Sequence, residues 1–188
     1  MMEKQSTLFE EYPVLEDELI MIRRMTDADA DALAQMCSQR EVYRYVPTFL
    51  YETKYEDKHE VIKRMHEECF ITRESLLLGV YYKETGAFCG IAEFYAYEPD
   101  RRKCSMGLRL KKEYWGKKIA SHAEPLMIDY LLNKANIRII TGHIMQENVA
   151  SAAAALKCGF EKRYTDIWED WGFDQPVLID KYVIKVPK

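Results

Sequence analysis

The sequence predicts a single α/β domain spanning residues 1–188, and three observations support this prediction. Segments with apolar residues at every second position, typical of strands, lie between segments with the spacing of amphipathic helices. The 188 residues are 48% hydrophobic and 31% charged, which are ordinary values for one soluble globular domain. No repeat or low-complexity linker divides the chain, although residues 1–17 form an acidic lead-in segment.

The N-terminal third contains one predicted strand and two predicted helices. Residues 18–24 predict the strand. Thr26 is then the expected N-cap of a helix, because Asp29 stands three residues later and further acidic residues crowd the first turn. Residues 41–47 predict a short helix or a turn, and residues 56–71 have apolar residues at helical spacing.

The middle of the chain predicts a meander of strands followed by a helix. Residues 76–82 and 87–97 are the first two strands, which a hairpin turn joins. Residues 103–110 predict the next strand. The helix that follows carries apolar residues on one face from 119 to 130, and Pro125 is expected to kink it.

The last third predicts strands on both sides of an alanine-rich helix. Residues 138–145 predict a strand, and the helix covers residues 148–158. Gly159 is its expected C-terminal stop. Residues 160–168 and 177–186 predict two final strands.

Composition and charge exclude several classes of function. No run approaches 18 apolar residues, so a membrane span is not expected. The formal net charge of −4 argues against broad nucleic-acid binding. The N-terminus lacks a signal-peptide core, and the odd number of cysteines, with no Cys-x-x-Cys pair, argues against a disulfide framework or a zinc site. A reducing cytoplasm is the expected location. The five cysteines are Cys37, Cys69, Cys89, Cys104 and Cys158.

A basic turn lies between the strand at 103–110 and the helix that follows it. A strand, a short basic loop and a helix N-terminus form an anion-binding arrangement, because the first helical N–H groups have no internal partner. Lys111, Lys112, Lys117 and Lys118 add four cations around the turn. The alternative interpretation is a solvated turn before an ordinary surface helix.

A second motif occupies residues 148–160. Asn148-x-x-Ser151 opens the alanine-rich helix, and Lys157-Cys-Gly-Phe160 closes it. The alternative interpretation is an ordinary N-cap with a C-terminal glycine.

Together, these motifs resemble those of the GCN5-related N-acetyltransferase (GNAT) superfamily, particularly the branch that acetylates the N-termini of ribosomal proteins. The resemblance covers residues 18–186 and is strongest across 87–160. It implies a mixed, mostly antiparallel sheet with flanking helices and a pair of parallel strands that splay apart, at residues 106–110 and 138–145. The main chain of the first strand should bond the pantetheine of acetyl-CoA.

The segment Tyr-Trp-Gly-Lys-Lys-Ile-Ala at 114–120 is similar to the family's pyrophosphate loop, whose pattern is Gln/Arg-x-x-Gly-x-Gly/Ala. Its positions fall on Trp115, Lys118 and Ala120. Lys118 departs from the pattern, since the family has glycine where the backbone passes closest to the phosphates. The cofactor-binding residues that the resemblance implies are Leu108, Arg109, Leu110, Trp115, Gly116, Lys117, Lys118, Ile119, Ala120, Asn148 and Ser151.

Three residues are candidates for proton transfer. Glu93 is the first candidate base, because it is a carboxylate in an otherwise apolar and aromatic strand; alternatively it is a solvated residue on an exposed face. His143, on the splayed strand, is the second candidate base or a structural histidine. The family's usual acid, a tyrosine, corresponds to Ala155 here, so Ser151 is the nearest remaining hydroxyl, or only a helix-capping serine.

The resemblance implies that the chain moves an acetyl group from acetyl-CoA to a primary amine by direct attack in a ternary complex, without a metal. Peptide N-termini, polyamines and antibiotic amines are all open as acceptors. Ser105 stands where N-terminal acetyltransferases carry an acidic residue, which argues against the first of these. The alternative, motivated by Lys118 and Ala155, is a non-catalytic CoA-binding sensor or interaction module. Neither a nucleic acid nor a membrane is an expected partner, and a homodimer is one assembly to consider.

Overall fold

The computed structural model describes residues 6–186, and a single eight-stranded sheet organises them. The strands are β1 (Leu15–Glu16), β2 (Ile20–Arg23), β3 (Ser75–Tyr82), β4 (Ala87–Glu98), β5 (Lys103–Leu110), β6 (Ile139–Met145), β7 (Glu161–Glu169) and β8 (Val177–Lys185). Their order across the sheet is β1-β2-β3-β4-β5-β6-β8-β7. Neighbouring strands are antiparallel except β5 and β6, which are parallel. The predicted mixed, mostly antiparallel sheet is therefore confirmed.

Four α-helices flank the sheet. They are α1 (Ala30–Cys37), α2 (Lys58–Arg64), α3 (Ile119–Asp129) and α4 (Val149–Lys157). Helices α2 and α3 continue into π-helical turns at Met65–Phe70 and Tyr130–Lys134. None of the helices within residues 6–186 has the length and apolar character needed to span a lipid bilayer.

Local hydrogen bonds explain where the helices begin. The Asp29 carboxylate accepts from the backbone nitrogen of Thr26 at 2.7 Å, so the helical region starts where the sequence predicts, with one 3₁₀ turn before α1. The side chain of Asp57 accepts from the nitrogens of the first turn of α2. Asn148 does the same for α4, accepting from Ser151 N at 3.2 Å.

The predicted strand at 18–24 corresponds to β2, and an additional short strand, β1, precedes it within the predicted lead-in segment. Asp17 Oδ1 accepts from the nitrogens of Leu19 and Ile20, which forms the turn between β1 and β2. The lead-in segment also enters the core, since Leu8 is fully buried and Phe9 nearly so. Residues 41–47, left open between helix and turn, form turns.

Pro125 does not interrupt α3. The helix runs from Ile119 to Asp129 through the proline, and the wider π-helical turn begins only at Tyr130. Pro125 and Ser121 are both exposed, so the carbonyl of Ser121, which loses its helical partner, faces water.

Apolar side chains pack on both faces of the sheet. On one face, Leu76, Leu78 and Phe94 pack with the buried face of α3. On the other face, Leu77 and Ile91 pack with α1 and α2. Successive residues of a strand point to opposite faces, so Glu93 shares the α1 and α2 face with Ile91.

The parallel pair is short, and its two strands then separate. Their register joins Lys103 to Ile139 and ends at Ser105 and Thr141. Beyond this point β5 stays paired with β4, and β6 stays paired with β8. The inner edge of residues 106–110 is therefore left without a strand partner. The buried hydroxyl groups of Ser105 and Thr141, 2.6 Å apart, join the two strands where the gap begins.

Candidate active site

A cavity of about 740 Å³ opens where β5 and β6 separate. Its walls come from both faces of the sheet, because the missing strand pairing leaves an opening through the sheet itself. Two of the three candidate proton-transfer residues, Glu93 and His143, enter its wall from strands, and the third, Ser151, enters from α4. The predicted site residues that line it are Glu93, Leu108, Arg109, His143, Asn148 and Ser151.

The half of the cavity on the α3 and α4 face is lined by Met106, Leu108, Glu124, Ser151 and Ala155, among others. The N-cap oxygen of α4 is engaged with the first turn of its own helix, while the same side chain lines the cavity. Ala155 presents only a methyl group at the position where the family usually has a tyrosine. That position therefore supplies no hydroxyl.

The predicted pyrophosphate loop lies outside the cavity wall, at the N-terminus of α3. Trp115 Nε1 donates to the carbonyl of Leu110 at 2.8 Å, which fastens the loop to the end of β5. The first bond into the helix runs from His122 N to Lys118 O, so the preceding N–H groups have no intrahelical acceptor. Buried Ile119 anchors this turn in the core, whereas Gly116 and Lys117 are exposed. This is an anion-binding arrangement.

The other half of the cavity lies under two loops that contact each other. The nitrogen of Thr48 donates to the carbonyl of Trp171 at 2.8 Å. Gly172 permits this contact, because its φ is +80° and a Cβ there would lie 2.1 Å from Thr48 Oγ1. The lining on this side is rich in aromatic residues: Tyr45, Phe49, Tyr51, Tyr95 and Trp171.

A buried ionic cluster forms the floor of this half. Arg109 Nη1 donates to Glu93 Oε2 at 2.7 Å, and Arg109 Nε lies 2.6 Å from Glu52 Oε1. Glu93 is only 8% exposed and Glu52 is fully buried, so the interpretation of Glu93 as a solvated surface residue is wrong. Two carboxyl groups therefore share one guanidinium.

Burial determines how the members of this cluster titrate. It raises the pKa of Glu52, because the desolvation of the carboxylate outweighs the attraction of Arg109. Burial also opposes the charge of Arg109, but the two carboxylates overcome it and raise the pKa of the guanidinium. Arg109 therefore remains charged at every accessible pH.

The sequence did not reveal this cluster. The sequence predicted a role in cofactor binding for the main chain of Arg109 but none for its side chain, which reaches the opposite face of the sheet from Leu108. Glu52 belongs to no motif. The one sequence feature that could have indicated its burial is its position directly after the aromatic and apolar residues Phe-Leu-Tyr.

His143 lies in the cavity wall next to another carboxylate. Its Nδ1 is 3.4 Å from Glu169 Oε2, and Glu169 also contacts Trp171 Nε1 and Lys181 Nζ. Burial lowers the pKa of His143, which favours the neutral imidazole near pH 7.

The charge of the cavity is predominantly negative on the side under the loops. Glu74, Glu93, Glu169 and Asp170 line it. Within the described lining the basic residues are Arg109 and His143, and Arg109 is already paired with two carboxylates. This surface suits a positively charged molecule.

A separate group of potential metal ligands lies outside the cavity lining. Asp17, Glu18 and His122 bring their ligand atoms within 4.8 Å of one another. Asp17 Oδ2 is 2.7 Å from His122 Nδ1, while its other oxygen forms the turn after β1. These contacts account for the group as a link between α3 and the β1–β2 turn.

Comparison with known proteins identifies the family. Residues 20–161, about three quarters of the chain, match the acetyltransferase (GNAT) domain. The chain belongs to the GNAT family. Among curated proteins it is 27% identical over 173 residues to the uncharacterized N-acetyltransferase p20 of Bacillus licheniformis, covering 91% of this chain and 94% of that protein. It is 25% identical over 153 residues to the uncharacterized N-acetyltransferase YoaA of Bacillus subtilis, covering 80% and 84%.

Solved structures share the fold of this GNAT protein. A GNAT-family acetyltransferase from Bacillus anthracis superposes with a TM-score of 0.77 at 19% identity, covering 92% of this chain and 98% of that one. The ribosomal-protein acetyltransferase RimL, in complex with coenzyme A, gives 0.77 at 15% identity, covering 93% and 98%. Spermidine N-acetyltransferase from Vibrio cholerae, in complex with CoA and spermine, gives 0.75 at 16% identity, covering 90% and 96%.

The family and its relatives identify an acetyl-CoA-dependent acetyltransferase. They therefore favour the enzyme over the alternative of a non-catalytic CoA-binding module. Acetyl-CoA is the cosubstrate that the CoA-bound neighbours indicate. The anion-binding turn and the unpaired inner edge of β5 fit the two ends of such a cosubstrate.

Lys118 of this acetyltransferase has a left-handed backbone conformation, with φ of +64°, which glycine adopts without strain. We expect Lys118→Gly to be more stable than Lys118→Ala by about 1 kcal/mol, which corresponds to about 2–4 °C in Tm. Both variants lose the ammonium group, so both should bind acetyl-CoA about two- to threefold more weakly at low salt, with the deficit shrinking as salt rises.

Thermal unfolding and calorimetric titration at two ionic strengths test these expectations. Equal stability of the glycine and alanine variants would show that the backbone at this position is unstrained. Unchanged affinity in both would show that the ammonium group lies far from the bound phosphates.

The buried carboxyl of Glu52 predicts a pH-dependent stability. Its pKa is raised in the folded state above the ordinary value of 4.5, so the folded state disfavours the ionised form. Its contribution to stability is complete below 4.5 and declines as pH rises. Glu52→Gln should therefore gain stability relative to the wild type as pH rises from 4.5. Urea unfolding of both proteins at several pH values measures this difference. A difference that is constant or moves the other way contradicts the expectation.

Proposed function

We propose that this acetyltransferase moves the acetyl group of acetyl-CoA to a primary amine that is positively charged in water, by direct attack in a ternary complex. The observation that carries the proposal is the cavity through the sheet. Residues of α4 and the β5 edge line it on one face of the sheet, and carboxylates, including Glu93, line it on the other. Each substrate can therefore enter from its own face, and the two reacting groups meet where β5 and β6 separate.

The cosubstrate is proposed to bind along β5 and α3. The N–H groups at 116–121 hold the pyrophosphate, and the cations of the loop add attraction. The inner main-chain edge of 106–110 holds the pantetheine arm and donates to the thioester oxygen, whose negative charge grows during attack. The side-chain amide of Asn148 reaches the same arm. These roles are consistent with the unpaired edge of β5 and the free start of α3.

The amine is proposed to bind under the loops and to lose its proton to Glu93. The acidic lining attracts the ammonium form, but only the neutral amine can attack a carbonyl carbon. Arg109 occupies Oε2 of Glu93, which leaves Oε1 to accept the proton. His143, whose lowered pKa keeps it neutral, is the second candidate for this role.

Direct attack is supported by the nature of the cavity wall. Among the described lining residues Cys69 is the only cysteine, and burial raises its pKa to about 12. It therefore remains a protonated thiol, which is a poor nucleophile. The amine nitrogen forms its bond to the thioester carbon, and the carbon–sulfur bond breaks to release CoA without an acetylated enzyme.

The acceptor is proposed to carry more than one positive charge, as a polyamine does. Four carboxylates line the acceptor side: Glu93 and Glu169 are paired with Arg109 and Lys181, while Glu74 and Asp170 form no ion pair with a described residue and can each attract an ammonium group. The position that is acidic in N-terminal acetyltransferases is Ser105, which is buried and bonded to Thr141. It is not available to bind a peptide N-terminus.

A CoA-release assay over a panel of amines tests the proposed function. The panel should contain spermidine and spermine, short peptides with free N-termini and an aminoglycoside, with calorimetric acetyl-CoA binding measured in parallel. We expect release to be fastest with a polyamine. Initial rates with both substrates varied should give intersecting lines. Binding of acetyl-CoA without release on any amine contradicts the function, and parallel lines contradict direct attack.

The variant Glu93→Gln tests the proposed role of Glu93 as the base. The amide cannot accept the amine proton, so kcat/KM should fall by roughly 10²-fold or more, while the dissociation constant of acetyl-CoA changes little. His143→Gln is the matched comparison, because it removes the other candidate base from the same cavity. If Glu93→Gln retains its pH–rate profile and His143→Gln loses activity, then His143 is the base and Glu93 is not.

A further inference from the structure

One half-buried carboxyl of the cavity has no role in the scheme above. Glu124 lies on α3, between two core residues of that helix, and its side chain lines the cavity on the cofactor face. No sequence pattern selects it, since it belongs to neither motif. It faces the same space as Ala155, the position from which the family's tyrosine would protonate the departing thiolate.

The contacts of Glu124 place it beside α4. Cys158 Sγ donates to Glu124 Oε2 at 3.1 Å. Cys158 lies three residues after Ala155, so the two residues share one flank of α4. The carboxyl of Glu124 therefore lies along the flank of α4 that lacks a hydroxyl at 155.

The surroundings of Glu124 favour its protonated form. Among residues 6–186 no lysine, arginine or histidine forms an ion pair with it, and the Cys158 thiol is the group that titrates next to it. An isolated carboxylate in such a place is costly, whereas the neutral acid is not. Burial accordingly raises the pKa of Glu124, and the hydrogen bond from Cys158 opposes this only in part.

We propose that Glu124 is the general acid that protonates the CoA thiolate as it leaves. This inference rests on the proposed function, because it requires a thioester to be cleaved in this cavity. As the nitrogen–carbon bond forms and the carbon–sulfur bond breaks, the sulfur takes the proton of Glu124. The amine proton passes to Glu93. Solvent then removes the proton from Glu93 and returns one to Glu124, so atoms and charges balance over the cycle.

Glu124 is a better donor than Ser151, the only donor that the sequence suggested on α4. A carboxylic acid is a far stronger acid than an alcohol, and a thiolate whose conjugate thiol has an ordinary pKa near 8.5 takes a proton readily from it. The nitrogen of Ser151 is bonded to the N-cap, which assigns this residue to the first turn of the helix.

The test compares Glu124→Gln with the wild type across pH, using the amine that the wild type acetylates. Loss of a general acid should lower kcat by roughly 10²-fold. It should leave the dissociation constant of acetyl-CoA nearly unchanged, and it should remove the alkaline limb of the kcat profile, which reports ionisation of the acid.

Cys158→Ala provides a second measurement that does not touch the acid itself. The thiol stabilises the carboxylate, so its removal should move the alkaline limb to higher pH. A purely structural role of Glu124 would not move this limb. If Glu124→Gln does not fold, Cys158→Ala still tests whether Glu124 is the general acid.

Three outcomes overturn the assignment. Glu124→Gln could retain kcat and the alkaline limb, it could raise KM for acetyl-CoA with kcat unchanged, or Cys158→Ala could leave the limb in place. Each of these leaves the proposed function intact, because the wild type still releases CoA. Failure of the wild type to acetylate any amine would instead refute the function itself.

Discussion

The site depends on where the pairing of β5 with β6 ends. The buried hydroxyl pair of Ser105 and Thr141 joins the strands at one end, and beyond it each strand remains paired only with its outer neighbour. A sheet normally satisfies its main-chain groups within itself. Here the unpaired inner edges require another partner, and the gap between them provides a passage from one face of the sheet to the other.

The acidic face of this passage contains a buried ionic cluster whose desolvation costs free energy. Glu52, Arg109 and Glu93 bring three ionisable groups out of water, and such clusters seldom stabilise a fold. Glu52 holds the guanidinium from the side away from the cavity. Arg109 therefore supports Glu93 in the wall without filling the acceptor side. We interpret the cluster as a support for Glu93, the proposed base.

Local patterns made most of the fold predictable. The turn at 114–118 and the motif at 148–160 predicted the basic loop before α3 and the capped helix α4 because their signals are contiguous in sequence. The cluster of Glu52 and Arg109 was not predictable, since it joins residues 57 positions apart through a loop without a motif. Glu124 was hidden because helical spacing shows which face is apolar, but not which polar residue a neighbouring helix will cover.

Hydrogen–deuterium exchange with and without acetyl-CoA tests the central claim, that the cosubstrate occupies the gap between β5 and β6, most directly. Bound acetyl-CoA should slow the exchange of main-chain amides at 106–110 and at 116–121, because these groups gain partners that the sheet and α3 do not supply. Exchange in the edge strand β7 should not change. Protection that spares 106–110 while acetyl-CoA is bound would contradict the account.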